Sequence, residues 1–376
     1  MTITPFDEYA VHQNPMPVAH PGSGDRNVYD RYFFNGFSPD GEFFFAVALG
    51  VYPNRDVIDG AFSVLHNGVQ RAVLASARLP LDHTVTKIGP LSIEITEPLR
   101  INRVVVDAEH LGIGADLTWQ ARTMALEEPR QTQISGITVH QDTTRLTQFG
   151  TWEGTIDAGK DRITVSRAGS RGMKDRSWGI RRFIDPPGGA PPRSGTPAGV
   201  FYLWAPVHFE NRCTHAMLFE NPDGYRWYTT ASEVPLLEAD EPTWGIEEKL
   251  RRPRSVDYSL RMRPGTRVTD GSTFTYRFPD GEETQELEPI LDFRLKGIGY
   301  LNPKWMHGEW HGEEEIGSDM WEVDKLDPNL PENFHVEQLV RVTSSKGDQG
   351  IGVLEQLILG PHEPTGFADW TSMAPS

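Results

Sequence analysis

Apolar residues along this chain fall in short runs, some continuous and some alternating with polar positions, and no window sustains the i, i+3, i+4, i+7 spacing of an amphipathic helix. Runs such as "GEFFFAVALGVY", "RINRVVVD", "ADLTWQART", "GVFYLWAPVHFE", "TFTYRF" and "GIGVLEQLILG" predict strands. They are separated by turn residues, among them Asn67-Gly68, Pro222-Asp223-Gly224 and Pro279-Asp280-Gly281, which favour tight reversals between antiparallel neighbours. The pattern is all-β.

A weak internal repeat refines the architecture. Asn54-Arg55 recurs as Asn211-Arg212 at an offset of 157, Ala75-Ser76 as Ala231-Ser232 at 156, and "FGTWEG" from Phe149 as "HGEWHG" from His307 at 158. A duplicated unit built of hairpins has to dispose of its sheet edges, and closure into an up-and-down barrel does so. Two antiparallel β-barrels in tandem are therefore expected, residues 1–190 and 191–376, joined through the Pro/Gly tract from Asp185 to Gly199 with "PPGGAPP" as the hinge. The repeat also assigns Trp152 and Trp310, with Gly154 and Gly312, to barrel structure. Differences between the halves, such as Trp204 and His208 in place of Val47 and Val51, mark candidates for a site.

Composition narrows the partners. A net charge of −17 opposes binding to a phosphate backbone or an anionic membrane. A single cysteine, Cys213, excludes an internal disulfide and a cysteine-built zinc site. The first residues lack a basic, then apolar, leader pattern, and no run approaches the roughly 20 apolar residues of a spanning helix. A cytoplasmic location follows as the expectation. Phosphate-binding, zinc-protease and nucleophile-elbow motifs are not found, so neither cofactor nor metal is expected.

The stretch "GMKDRSWGIRRF" carries the candidate chemistry. On a strand, Asp175, Ser177 and Gly179 share one face, and Lys174, Arg176 and Trp178 the other. Asp175 then looks into the barrel, where an apolar setting raises a carboxyl pKa and leaves an acid able to protonate an alkene. The alternative is an ionised Asp175 paired with a nearby arginine at the barrel mouth. "HGEWHGE" places His307 and His311 roughly 13 Å apart on a straight strand, too far for one metal ion, whereas His307 suits proton transfer. Tyr32, His140, Trp178, Trp204, His208 and Trp305 are candidate substrate contacts, with core packing or ordinary hydrogen bonding as the alternative role of each.

The segments "YFFNGFSPDGEFFFAVALGVYPNR", "TRLTQFG-W-G", "G-KDRSWGIR" and "GYLNPKWMHGEWHGE" resemble the hydroxyneurosporene synthase (carotenoid 1,2-hydratase) superfamily. The resemblance covers almost the whole chain. It implies tandem lipocalin-like, or calycin, barrels, similar in fold to tocopherol cyclases and lipocalin-like pericyclases. It also implies cofactor-independent lyase or isomerase chemistry on a C=C bond of a hydrophobic, isoprenoid-like substrate at the domain interface. A lipid-binding protein without catalysis, holding its ligand inside a barrel, is the competing expectation.

Overall fold

The computed structural model describes residues 3–182 and 199–375. The expected boundary between residues 190 and 191 lies outside the described residues. The N-terminal half contributes β1 (Val28–Phe37), β2 (Phe43–Tyr52), β3 (Val57–His66), β4 (Val69–Arg78), β5 (Lys87–Ile88), β6 (Leu91–Glu97), β7 (Ile101–Ala108), β8 (Ile113–Ala121), β9 (Leu126–Glu127), β10 (Gln131–Ser135), β11 (Thr138–Ala158), β12 (Asp161–Val165) and β13 (Gly172–Arg181). The C-terminal half contributes β14 (Val200–Trp204), β15 (Val207–His208), β16 (Arg212–Glu220), β17 (Arg226–Pro235), β18 (Ser255–Met262), β19 (Thr269–Phe278), β20 (Gly281–Arg294), β21 (Glu314–Glu322), β22 (Val336–Ser344) and β23 (Gln349–Leu359). The remaining regular structure consists of single 3₁₀ turns, so among the described residues no helix is long and apolar enough to cross a membrane.

The fold is all-β, antiparallel and lipocalin-like. One sheet runs β21-β4-β3-β2-β1-β13-β11-β8-β7-β6-β5, and the other β14-β16-β15-β23-β22-β20-β19-β18. The turns behave as their residues predict: Asn67 and Gly68, between β3 and β4, both take positive φ, 50° and 73°, as a two-residue hairpin turn requires. The two halves follow one strand circuit cut at different points. β14 and β15 stand where β2 does, β16 for β3 and β17 for β4, while β23 at the end of the chain takes the place that β1 holds at its start.

Each half has its own core. Phe34, Phe45, Trp119 and Trp152 meet edge-on inside the first barrel, with ring centroids 5.2–5.7 Å apart. Its two sheet ends meet through side chains, Ile88 packing over Gly60. Phe201, Leu203, Phe274 and Val340 belong to the equivalent core of the second half. A third apolar layer lies between them, joining Phe33, Phe44, Phe149 and Met173 to Tyr202, Trp204, Phe293 and Leu339. This layering explains the two kinds of run in the sequence. β2 is buried on both faces and reads as continuous apolar residues, whereas β18, wet on one face, alternates. β21 leaves the second half and pairs with β4, covering that edge of the first sheet.

The interior of the first barrel is filled by aromatic side chains, so the expectation of a ligand held inside that barrel fails, and a ligand-sized space lies between the barrels. The repeat also fails in one place. Trp152 is fully buried, yet Trp310 is half-exposed in a loop with the Arg78 guanidinium 5.1 Å from its ring. The local match of "FGTWEG" with "HGEWHG" therefore does not mark equivalent positions.

Candidate active site

A cavity of about 520 Å³ opens where the apolar interface layer gives way to polar residues, and both halves line it. From the first half come Phe33 of β1, Arg145 of β11, and Asp175 and Arg181 of β13; from the second come Tyr202 of β14 and Glu355 of β23, with His335 just before β22. Its volume falls within the range typical of small-molecule sites.

Asp175 sits opposite Phe33 in the β1–β13 ladder, so both side chains face the cavity. The strand alternation holds, but the faces are exchanged relative to expectation: Asp175 looks out of the first barrel. Lys174 looks into it, where its Nζ donates to Asn102 Oδ1 at 3.0 Å and burial draws its pKa down to about 8. Arg176 pairs with Asp30 at 2.8 Å instead of with Asp175. The partner of Asp175 is Arg145, with Nη1 3.3 Å from Oδ2, while Oδ1 is buried with no hydrogen-bond partner. Burial dominates and raises its pKa to about 6, against the pull of Arg145 and with a further push from Glu128 and Glu355. The carboxyl thus combines an arginine partner with a pKa raised by burial, and it does so outside the first barrel rather than inside it.

Across the cavity, His335 Nε2 lies 2.7 Å from Glu355 Oε1. In the tautomer whose Nε2 donates this hydrogen bond, Nδ1, buried without a partner, keeps a free lone pair. Glu355 faces Glu337 directly in the β22–β23 ladder, and two carboxylates opposed in this way repel each other. Glu337, fully buried, yields: burial and the charge of Glu355 hold its pKa well above the ordinary carboxylate range. Asn35 secures this region, donating from Nδ2 to Glu337 Oε1 at 2.9 Å and accepting from the Met173 backbone N–H at 2.9 Å. That bridge ties the strand of Asp175 to the second half.

The sequence candidates divide by position. Asp175 and His140 line the cavity. Trp204 lies just behind it, edge-on to Phe33 at 6.5 Å and donating from Nε1 to His215 Nε2 at 2.9 Å. His307 is one layer further back, its Nδ1 3.0 Å from the Tyr52 hydroxyl and its ring 4.9 Å from that of Tyr300, which does line the cavity. Burial and the nearby Arg31 hold the His307 imidazole well below its usual pKa, in the neutral form. His208, buried between Phe37 and Phe149, meets Arg122 and the Gly172 carbonyl outside the cavity. Tyr32 and Trp178 project from the opposite face of their strands, Tyr32 beneath Arg176 and Trp178 partly exposed. Trp305 stacks on His311 at 4.0 Å in an irregular loop, because "HGEWHGE" forms no strand.

Arg145, Arg181, Tyr202, Tyr300, His335 and Glu355 escaped the sequence reading. One signal was available: "VEQLV" and "LEQLI" each bury a Glu-Gln pair inside an apolar run, and a charged residue within such a run needs a partner or a function.

A model of a family of unknown function (DUF8625) matches residues 3–368. No curated protein sequence matches the chain. A Nitrosomonas europaea protein provisionally named AttH is similar in structure, with 14% identity, a TM-score of 0.54, and 88% of this chain and 92% of that one covered. Kievitone hydratase from Nectria haematococca is similar with 13% identity and a TM-score of 0.51, covering 87% of this chain and 88% of its own. At these identities the shared feature is the fold.

Proposed function

The chain belongs to the DUF8625 family, whose description names no reaction, and from its own residues we propose a hydratase-type lyase that adds water to, or removes it from, a C=C bond of a largely apolar small molecule. The observation that carries this reading is Asp175: a carboxyl with a pKa near 6 and an unpartnered buried oxygen on the wall of a ligand-sized cavity. In the hydration direction Asp175 delivers its proton to one alkene carbon as the π bond opens. Water bonds to the cationic carbon, and His335 Nδ1 takes the proton that water loses. Solvent then returns that proton to Asp175, which closes the cycle without a redox partner. Glu355, 2.7 Å from Nε2, fixes the orientation of the His335 ring.

The aromatic walls, Phe33, Phe201, Phe219, Trp227 and Tyr300, suit an isoprenoid-like body and can face a developing cation. The resemblance to carotenoid 1,2-hydratases drawn from the sequence and the fold shared with kievitone hydratase favour the same class. The test is incubation with isoprenoid alkenes and their tertiary alcohols in oxygen-18 water, followed by mass spectrometry. Labelled alcohol is expected from the natural chain, and Asp175→Asn lowers turnover at least about a hundredfold while ligand retention is unchanged. Equal turnover in that variant dismisses the acid, and ligand recovered unaltered from both proteins leaves a binding protein in place of an enzyme.

A further inference from the structure

The charged groups on the cavity wall are unequally partnered. Asp175 is paired with Arg145 at 3.3 Å and Glu220 with Arg226 at 2.8 Å, while Glu355 is hydrogen-bonded to His335 at 2.7 Å. Arg181 has no ion pair with any described residue, and its Nη2 is buried without a hydrogen-bond acceptor. Its guanidinium is instead held over the Tyr29 ring, 4.5 Å from the centroid, which fixes the head group without neutralising it. A partly buried guanidinium with one nitrogen buried and unpartnered, held in place by an aromatic ring, is well shaped to receive an anionic oxygen.

We propose that Arg181 anchors an anionic oxygen of the substrate, so that the molecule taken by this cavity is an elongated apolar acid whose charged end is remote from the reacting double bond. The proposal rests on the cavity being the substrate site of the hydratase-type reading. Asp175 and Arg181 both belong to β13 and are six residues apart, so their side chains leave the same face, separated by at most about 20 Å of strand. A ligand touching both therefore lies along β13. The acidic group reaches the guanidinium at one end while the alkene reaches the carboxyl of Asp175 at the other. A wholly neutral hydrocarbon would leave Arg181 unmatched, which separates this substrate class from a plain carotenoid-like chain.

Two dyes with one aromatic body test it without knowledge of the substrate: anilinonaphthalene sulfonate and its uncharged parent, phenylnaphthylamine, titrated by fluorescence against the full chain. The sulfonate is expected to bind more tightly to the natural protein. Arg181→Met is expected to weaken the sulfonate about tenfold to a hundredfold, the loss of one charge-assisted hydrogen bond, and to leave the neutral dye unchanged. Arg181→Lys should keep part of the preference. Equal affinity of the natural protein for both dyes, or parallel weakening of both in Arg181→Met, overturns the proposal. Asp175→Asn should retain the sulfonate preference, so loss of the proposed reaction and loss of the anchor are read separately.

Discussion

Replacing Arg145 with glutamine tests whether the acidity of Asp175 is a balance between burial and a neighbouring charge. The two side chains are about nine-tenths buried and lie 3.3 Å apart at their nearest atoms. Two unit charges about 4 Å apart interact by about 4 kcal/mol at an effective dielectric constant of about 20. At about 1.4 kcal/mol per pKa unit this is close to three units of stabilisation of the carboxylate. The Asp175 midpoint should therefore climb from about 6 toward roughly 8 to 9 in Arg145→Gln. Carbon-13 NMR of aspartate-labelled protein follows the side-chain carboxyl through a pH titration, and Asp175→Asn assigns the signal. No substrate is needed. A natural-protein midpoint in the ordinary carboxylate range, or a midpoint that stays put when Arg145 is replaced, refutes the balance of burial against Arg145.

The same carboxyl makes stability depend on pH. Because its folded pKa is raised from 3.8 to about 6, its contribution to stability is full below about pH 4 and is lost as pH rises through about 6. Urea unfolding of the natural chain relative to Asp175→Asn should shift by about 2.5 kcal/mol between pH 4 and pH 7, to the disadvantage of the natural chain at the higher pH, and a constant difference would contradict it. Trp152→Ala should cost about 3 to 5 kcal/mol in the same assay, since the indole is fully buried among Phe34, Phe45 and Trp119. Trp310→Ala should change stability by about 0.5 kcal/mol or less because that ring is half-exposed, and similar losses for the two would restore the equivalence that the repeat implied.

The amino-acid sequence alone determined most of the strands, their turns and the alternation of side chains between two faces. These are local properties: alternation has a period of two residues, and Asn-Gly accepts positive φ wherever it occurs. Whether a run is continuously apolar or alternating even distinguished strands buried on both faces, such as β2, from those wet on one, such as β18. Asp175 and its separation from Lys174 and Arg176 were legible for the same reason. Which enclosed space the Asp175 face looks into was decided only by tertiary structure, because two barrels with filled interiors leave their room at the seam between them. The groups that make a site of that seam, Arg145, Arg181, His335 and Glu355, come from β11, β13 and the end of the second half, and no spacing along the chain records their meeting. A pKa is set by desolvation and by charges a few ångströms away, and both depend on distance through space rather than along the chain.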